Sequence, residues 1–351
     1  MNFASDNTAG VAPAILAAIA RANDGYALGY GDDAVTARVE QRLAEVFEHE
    51  VAVFLVPTGT AANALALAQL TPPWGAVLCH AESHIVTDEC GATEFYGGGV
   101  KLVTLPGEGC KIAPATLQPA LERGPWGGPH HVTAAAVSLS QATEAGTIYR
   151  ASEIRQLAEI AHARNVAVHL DGARFANALV RTNATPAEIT WRAGVDVLSF
   201  GATKGGALAA EAVIFFDPAR ANGMPERRKR GGHLLSKHRF LAAQFDAYLT
   251  DDLWLDLARH ANQMADRLAQ GLSSSGIKPV WPVEANEVFV PLSEQADRRL
   301  KVAGALYYPW SIGSLPPGLI IPPGATLMRL VTSFSTTQAE VDRFVAIARG
   351  A

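Results

Sequence analysis

Short runs of apolar residues that alternate with longer helical patterns constrain the fold of this chain more than any other feature. Because these runs are apolar throughout, they are typical of a parallel sheet that is covered by helices on both faces. Helical patterns over 60–70 and 151–164 separate several of them, and the order strand, helix, strand predicts an α/β fold. The predicted strands are 51–57, 75–80, 100–105, 133–140, 166–171, 195–200 and 212–216.

The C-terminal part of the chain has a different pattern. One continuous helical pattern covers about 239–275, and strand patterns at 283–292 and 327–334 follow it. The segment 336–350 predicts a final helix that begins with a threonine cap.

This change of pattern predicts two domains. We expect a large domain over 1–248 and a smaller α/β domain over 249–351. The first thirty or so residues have an extended character. We expect them to wrap over the surface and not to form a separate domain.

The composition argues against several classes of protein. A net charge of −5 over 351 residues gives no broad basic surface for nucleic acid. No uncharged apolar run is long enough to span a membrane, and the N-terminus lacks the features of a signal peptide. Cys79, Cys90 and Cys110 lack the spacing of a disulfide framework or a zinc site. We therefore predict a cytoplasmic protein that binds no metal.

The segment VPTGTAAN (56–63) links the first predicted strand to the helix that follows. Two threonines flank Gly59, and the backbone N–H groups at the start of a helix bind phosphate readily. The segment has neither the GxGxxG pattern nor the Lys-Ser/Thr pair of a P-loop, so that neither a dinucleotide nor a nucleoside triphosphate is indicated. Gly59 and Thr60 are candidate phosphate ligands, although an ordinary capped helix has the same pattern.

Two further charged side chains follow predicted strands. Asp171 ends the strand in VAVHLDGAR (166–174), and Lys204 follows the next strand after a short turn. Because neighbouring parallel strands end at the same edge of a sheet, both side chains are expected to face one pocket. Arg174 as a simple ion-pair partner of Asp171, and Lys204 as a surface lysine, are the ordinary structural alternatives.

Pyridoxal 5′-phosphate explains these features together. It needs a phosphate site, an acidic partner for its ring nitrogen and a lysine whose amine attacks its aldehyde. Gly59 and Thr60, Asp171 and Lys204 supply these parts. The glycines around Lys204 are expected to give the cofactor room.

On these residues the chain resembles the low-specificity L-threonine aldolases, which belong to the β-eliminating lyase group of fold-type I pyridoxal phosphate enzymes. The resemblance implies the aspartate aminotransferase-like large domain and a smaller C-terminal α/β domain. It also implies a homotetramer, built as a dimer of dimers, with active sites at the dimer interface. The matching segments are SDN (5–7), YGDD (30–33), PTGTAAN (57–63), HLDGAR (169–174) and MRLVT (328–332).

The resemblance also implies roles for individual residues. Lys204 would form the Schiff base, Asp171 would pair with the ring nitrogen, and His84 would stack on the ring. The resemblance supports a role for Glu89 less strongly than for these three residues. Tyr30 would reach the site from a neighbouring subunit. The implied cofactor ligands are Gly59, Thr60, His84, Asp171, Arg174, Lys204 and Lys237, and the implied ligands of the substrate are Ser5, Tyr30, Arg174 and Arg329.

The chain departs from the family pattern at two places. Glu144 in TEAG stands where typical members carry a histidine near the substrate hydroxyl, which leaves the base for that hydroxyl unassigned. The basic run 227–240 lacks the usual arginine after its glycines. Ser236 aligns there, and Lys237 beside it is the candidate for a phosphate contact across the subunit interface.

The predicted reaction is the reversible cleavage of an L-3-hydroxy-α-amino acid, such as L-threonine, L-allo-threonine or a phenylserine-like compound, to glycine and an aldehyde. A β-eliminating lyase that acts on another β-substituted amino acid would use the same anchors. A non-catalytic protein on the same fold is a third hypothesis, which the presence of Lys204, Asp171 and Arg329 disfavours.

Overall fold

The computed structural model describes residues 1–311, 313 and 315–350, and its largest element is a seven-stranded sheet. The strand order is β1-β7-β6-β5-β4-β2-β3. Strands β2 to β6 pair in parallel, whereas β7 pairs antiparallel with both β1 and β6. The mainly parallel α/β sheet is thus confirmed. Its strands are β1 Ala52–Val56, β2 Gly75–His80, β3 Lys101–Leu105, β4 Thr133–Ser140, β5 Ala167–Gly172, β6 Val197–Gly201 and β7 Glu211–Phe215.

A second sheet of three antiparallel strands lies in the C-terminal part, in the order β8-β10-β9. Its apolar side chains form a separate core with the last helices. The division into domains 1–248 and 249–351 stays a prediction, and its proposed boundary falls in the last turn of the helix Arg239–Leu249. The strands are β8 Glu287–Ser293, β9 Tyr308–Pro309 and β10 Ala325–Val331.

Helices pack against the large sheet, and the last helices share an apolar core with the small sheet. The final helix begins with a capping box, in which Thr337 Oγ1 accepts from the Glu340 N–H and the Glu340 carboxylate accepts from the Thr337 N–H. The helices are α1 Pro13–Arg21, α2 Ala34–Phe47, α3 Gly59–Leu70, α4 His84–Thr87, α5 Ala92–Tyr96, α6 Pro114–Arg123, α7 Ala151–His162, α8 Phe175–Thr182, α9 Met224–Arg230, α10 Arg239–Leu249, α11 Leu253–Ser273, α12 Glu294–Val302 and α13 Gln338–Arg349.

The expectation of an extended N-terminus is wrong for residues 13–21. A helix, α1, occupies Pro13–Arg21, with a proline in its first turn, where the missing N–H costs no hydrogen bond. Ile15 and Ala18 on this helix are buried in the structure. This helix packs against α10, whereas Phe3 lies in the core of the small sheet.

The long helical pattern over 239–275 corresponds to two helices, α10 and α11. Between them Asp251 and Asp252 adopt left-handed backbone angles, with φ of 52° and 55°. A helix cannot continue through two such residues. The apolar pattern continues across the break, which explains why the sequence predicted a single helix.

The sheet brings the predicted site residues to one edge. In the register of the sheet, Asp171 at the end of β5 lies between Ser140 of β4 and Ser199 of β6. Lys204 follows β6 by three residues, and α3 begins just after β1. In the described residues, no helix has the length and apolar character needed to cross a membrane, and no cluster of three or more metal-ligating side chains occurs.

Candidate active site

A cleft of about 590 Å³ opens at this edge of the large sheet, and residues of the small sheet close its other side. The cleft brings together residues that are far apart in sequence, from the N-terminal segment to β10. Among the residues predicted from the sequence, those that line it are Ser5, Gly59, Thr60, His84, Glu144, Asp171, Arg174, Lys204 and Arg329.

The start of α3 forms one end of the cleft. Thr58 is its N-cap, and its hydroxyl oxygen accepts a hydrogen bond of 3.1 Å from the N–H of Ala61. The first N–H groups of a helix have no partner within the helix, so those of Gly59 and Thr60 remain available. The space that a Gly59 side chain would fill is open. This arrangement suits a phosphate group.

Asp171 lies at the end of β5 and is 8% exposed. Its Oδ1 accepts from the N–H of Ala173 (3.0 Å), and its Oδ2 accepts from Asn63 Nδ2 (2.8 Å). Neutral donors therefore hold the carboxylate, and the expected alternative of an ion pair with Arg174 is wrong, because Arg174 pairs elsewhere. A carboxylate at this position can hold a protonated ring nitrogen.

Lys204 lines the cleft in the turn that follows β6 and is partly buried. The expected role of its neighbouring glycines needs correction. A side chain on Gly205 would come within 2.1 Å of the Tyr248 hydroxyl, and Gly206, with φ of 117°, packs beside Ala12. These two glycines therefore make room for other parts of the protein and not for a ligand.

His84 begins the short helix α4. Its Nδ1 lies 2.8 Å from Glu89 Oε1, and its side chain is 42% exposed while that of Glu89 is fully buried. The hydrogen bond to Glu89 raises the pKa of His84, and burial raises the pKa of Glu89. One edge of the imidazole ring is thus fixed by a carboxylate, and the rest of the ring faces the cleft.

Glu144 occupies a buried wall of the same cleft. Its Oε1 accepts from the backbone N–H of His84 (2.9 Å) and from the hydroxyl of Ser140 (2.7 Å). Its Oε2 is sealed from solvent and has no hydrogen-bond partner among the described residues. Burial raises the pKa of this carboxyl to about 7. Glu144 therefore positions the start of α4 and can exist in its neutral form at physiological pH.

The two arginines of the cleft differ in their partners. Arg174 Nε lies 2.8 Å from Asp6 Oδ2, and its Nη1 lies 3.2 Å from Glu287 Oε2. Burial opposes the charge of Arg174, but Asp6 and Glu287 outweigh it and raise its pKa. Arg329 stacks on Trp310 with its guanidinium carbon 4.2 Å from the ring centre, and its Nε is buried with no hydrogen-bond partner among the described residues.

Ser5 lines the cleft, whereas Tyr30 and Lys237 do not. The Ser5 hydroxyl oxygen caps a short turn by accepting from the Asn7 N–H at 3.2 Å. Tyr30 is exposed, and its N–H donates to the carbonyl of Ser236 (3.0 Å). Lys237 is also exposed and follows Ser236 in the chain, so that it lies near Tyr30 and outside the cleft. Within one chain, the structure therefore does not bring Tyr30 and Lys237 to the cleft.

Comparison with known proteins places the chain in a family. Residues 2–295 match the model of the family described as Beta-eliminating lyase. The low specificity L-threonine aldolase of Pseudomonas aeruginosa is 43% identical over 308 residues, which make up 87% of this chain and 88% of that relative. The chain belongs to the L-threonine aldolase group of the β-eliminating lyase family. The resemblance found in the sequence is thus confirmed.

Solved structures agree with this placement. The threonine aldolase of Leishmania major superposes with a TM-score of 0.91 at 32% identity, covering 99% of this chain and 98% of that one. A serine palmitoyltransferase from Sphingomonas wittichii has a TM-score of 0.73 at 16% identity, over 100% of this chain and 86% of that one. The second match shows the shared fold alone.

The cleft of this member of the threonine aldolase group fits pyridoxal 5′-phosphate. The free N–H groups at the start of α3 suit the phosphate, the buried Asp171 suits the ring nitrogen, and Lys204 supplies an amine. The open face of His84 suits the flat ring. The donor set therefore agrees with the cofactor that the family uses.

Sequence reasoning did not assign roles to five residues that shape this site. Asn63 is the last residue of PTGTAAN (57–63) and lies one helical turn after Gly59. This spacing indicates a side chain near the phosphate site. Asp6 was within SDN but received no role. Glu287, Glu211 and Trp310 also line the cleft, and no local pattern marks them.

Proposed function

We propose that this protein uses pyridoxal 5′-phosphate to cleave L-3-hydroxy-α-amino acids to glycine and an aldehyde, in a reversible reaction. The observation that carries the proposal is the convergence of Lys204, Asp171 and the start of α3 on one cleft. The cofactor supplies an electron sink for the electron pair of the breaking Cα–Cβ bond. L-Threonine, L-allo-threonine and phenylserine-like compounds are the proposed substrates, since relatives carry the name low specificity L-threonine aldolase.

The cofactor contacts in this proposal divide among three elements. Lys204 would hold the cofactor through its amine, which reacts with aldehydes. Asp171 holds the proton on the ring nitrogen. The N–H groups of Gly59 and Thr60, at the positive end of the α3 dipole, hold the phosphate.

Arg329 is the proposed main ligand of the substrate carboxylate. Its guanidinium has no carboxylate within ion-pair distance among the described residues, and burial lowers its pKa. A carboxylate that binds there restores a charge partner and can accept two parallel hydrogen bonds. Ser5 and Arg174 line the same region and complete the carboxylate site.

His84 is the proposed acceptor of the proton from the 3-hydroxyl group. Because Nδ1 is directed to Glu89, the Nε2 atom of the neutral ring carries a lone pair. Glu144 is less suited to this step, since its Oε2 is sealed from solvent and its Oε1 is occupied by two donors. Transfer of the hydroxyl proton to His84 leaves the oxygen free to form the aldehyde as the Cα–Cβ bond breaks.

The substitution Lys204→Ala tests the proposal. After borohydride treatment the purified variant is expected to carry no covalently fixed cofactor, and it should lose at least a hundredfold of its glycine production from L-threonine, because the covalent anchor is absent. Lys101→Ala, which removes an exposed lysine on β3, is the control and should behave as wild type. Near wild-type glycine production by Lys204→Ala would make the assignment wrong.

The products separate cleavage from β-elimination. Retro-aldol cleavage yields glycine and an aldehyde, whereas β-elimination yields ammonia and a keto acid. Incubation with a panel of 3-hydroxy amino acids, followed by identification of both products, decides between them. Ammonia without glycine would favour the β-eliminating reaction.

The proposed assembly is a homotetramer, built as a dimer of dimers, in which a neighbouring copy contributes Tyr30 and Lys237 to each cleft. Both residues lie outside the cleft of their own chain. Large apolar side chains are exposed near Lys237, namely Tyr26 at 107% and Leu28 at 71%, and Leu208 in the cleft is 58% exposed. Such exposure is typical of a surface that another copy covers.

We propose that the protein is located in the cytoplasm.

Mixing two inactive variants tests the shared site. If Tyr30→Ala is inactive, co-refolding it with Lys204→Ala should restore about a quarter of the activity, because half of the randomly formed dimers then contain one intact site. Mixing either variant with itself is the control. No recovery in mixed assemblies that chromatography shows to have formed would contradict the shared site.

A further inference from the structure

Asn63 lies between two buried carboxylates. Its Nδ2 donates to Asp171 Oδ2 at 2.8 Å and to Glu89 Oε1 at 2.9 Å. Asn63 is 2% exposed and Glu89 is 4% exposed, so water does not replace these bonds. A buried carboxylate needs donors, and one amide group here supplies a donor to each of two carboxylates.

The orientation of the Asn63 amide follows from its neighbours. Both neighbouring groups are carboxylates, and only the NH2 group can donate to them. The opposite orientation would place the amide oxygen against two negatively charged oxygens. The Oδ1 atom is buried and has no hydrogen-bond partner among the described residues, which shows that the amide is held by its nitrogen side.

The same chain of contacts reaches the imidazole ring of His84. Glu89 Oε1 accepts from Asn63 and also lies 2.8 Å from His84 Nδ1. A continuous path of hydrogen bonds therefore runs from Asp171 through Asn63 and Glu89 to His84. Asn63 is also one turn after Gly59 on α3, so that a single helix carries both the phosphate site and the central amide of this path.

We propose that Asn63 is a positioning residue that couples the protonation of the Asp171 site to that of His84. The proposal rests on the proposed function, in which Asp171 meets the cofactor ring nitrogen and His84 accepts the substrate proton. The two hydrogen bonds of Asn63 hold both carboxylates in place, and the bond to Glu89 favours the ionised form of Glu89. Ionised Glu89 in turn keeps a hydrogen on Nδ1 of His84, which leaves Nε2 available for the substrate.

Two substitutions test this role on the cofactor-loaded protein. Asn63→Ala removes both donors, and Asn63→Asp keeps the shape but places a third carboxylate between the other two. Asn177→Ala is the matched control, because Asn177 is also a buried asparagine, paired with Asn262 and outside the cleft. The readouts are kcat and KM for L-threonine, the Kd of the cofactor and the pH midpoint of the visible absorption of the bound cofactor without substrate.

The expected results separate coupling from packing. Asn63→Ala should lower kcat about tenfold and leave KM within about twofold, because both hydrogen bonds to the carboxylates are lost while the site for the substrate carboxylate is intact. The absorption midpoint should move by about half a pH unit or more. Asn63→Asp should be worse than Asn63→Ala in kcat and cofactor Kd. Asn177→Ala should lower the thermal midpoint only.

An unchanged kcat and absorption midpoint in Asn63→Ala, with a loss of thermal stability like that of Asn177→Ala, would overturn the proposal and leave Asn63 as a packing residue. An Asn63→Asp variant that is folded and as active as wild type would also overturn it. The absorption midpoint needs bound cofactor but no turnover. If the wild type released no glycine, the proposed function would fail while the spectral comparison still tested Asn63.

Discussion

The surroundings of Arg174 and Arg329 show how two residues of one type, predicted to bind the same ligand, take different roles. Arg174, next to β5 of the large sheet, pairs with Asp6 and lies within ion-pair distance of Glu287. Arg329, on β10 of the small sheet, has an aromatic ring beside it and no carboxylate within that distance among the described residues. Carboxylates from the N-terminal segment and from β8 of the small sheet therefore balance the charge of Arg174, whereas Arg329 has no ion-pair partner among the described residues.

Because of this difference, we expect one arginine to contribute mainly to stability and the other mainly to ligand binding. A buried arginine with two carboxylates connects the parts of the chain that supply them, and its removal leaves those carboxylates without a cation. A partly buried arginine without a carboxylate contributes less to folding, and its charge is available for a ligand. We propose that Arg174 contributes mainly to the architecture of the cleft and Arg329 mainly to substrate binding.

The largest expected effect is on stability. Arg174→Ala should lower the free energy of unfolding by about 3 kcal/mol or more, because Asp6 and Glu287 then lie buried without their cation. Urea unfolding measures the change. The control is Arg38→Ala, because Arg38 is half exposed and its partner Asp246 keeps a second cation in Arg42, so that its loss should cost about 1 kcal/mol or less. Equal losses in the two variants would contradict the architectural role of Arg174.

The next effect is on substrate binding. Arg329→Gln should raise KM for L-threonine roughly a hundredfold, because the charge that meets the substrate carboxylate is lost. Its free energy of unfolding should change by about 1 kcal/mol or less, since no carboxylate becomes unpaired. Steady-state kinetics and urea unfolding on the same preparation give both numbers. A large loss of stability with an unchanged KM would reverse the assignment of the two arginines.

The smallest expected effect is on the pH dependence of stability. It follows from the difference between a buried carboxyl that has an arginine partner and one that does not. Burial would raise the pKa of Asp6, but Arg174 and Lys204 outweigh it and lower this pKa. Glu211 is also buried in the cleft but has no arginine partner among the described residues, and burial raises its pKa to about 7.

The sign of the resulting pH dependence follows from linkage. Because folded Glu211 keeps its proton to higher pH than the unfolded chain does, its contribution to stability falls as pH rises from about 4.5 to 7. Glu211→Gln should remove this part of the slope, on the order of 2 kcal/mol between pH 5 and pH 8. Urea unfolding of both proteins at the two pH values checks the difference. An unchanged slope would show that Glu211 is not the group responsible.

The sequence was sufficient to predict the large sheet and its central residues. Asp171 and Lys204 each follow a buried parallel strand, and the rule that such strands end at one edge places both side chains together. Gly59 and Thr60 begin a helix directly after β1, and helix termini bind phosphate for reasons that are local in sequence. These predictions depended on features within a few residues of the site.

The hydrogen-bond and ion-pair partners of the site residues could not be predicted from the local sequence. Asp6 is 168 residues from Arg174 along the chain, and the pairing of Asp171 with Asn63 spans 108 residues. Periodicity carries no information about such pairs, because they depend on how the elements pack. The break between α10 and α11 was missed for a related reason, since the left-handed angles of Asp251 and Asp252 leave the apolar pattern unchanged.

Helix α3 has a consequence for how this protein can change by mutation. Its residues from Ala61 to Ala68 are all buried, so that no face of this segment of the helix is free to vary without disturbing the core. A larger side chain anywhere along this segment would overpack the interior and displace the phosphate site with it. New preferences for the aldehyde side chain should therefore arise at cleft residues outside this helix, in connecting segments that tolerate substitution. Libraries for altered substrate range are best placed there.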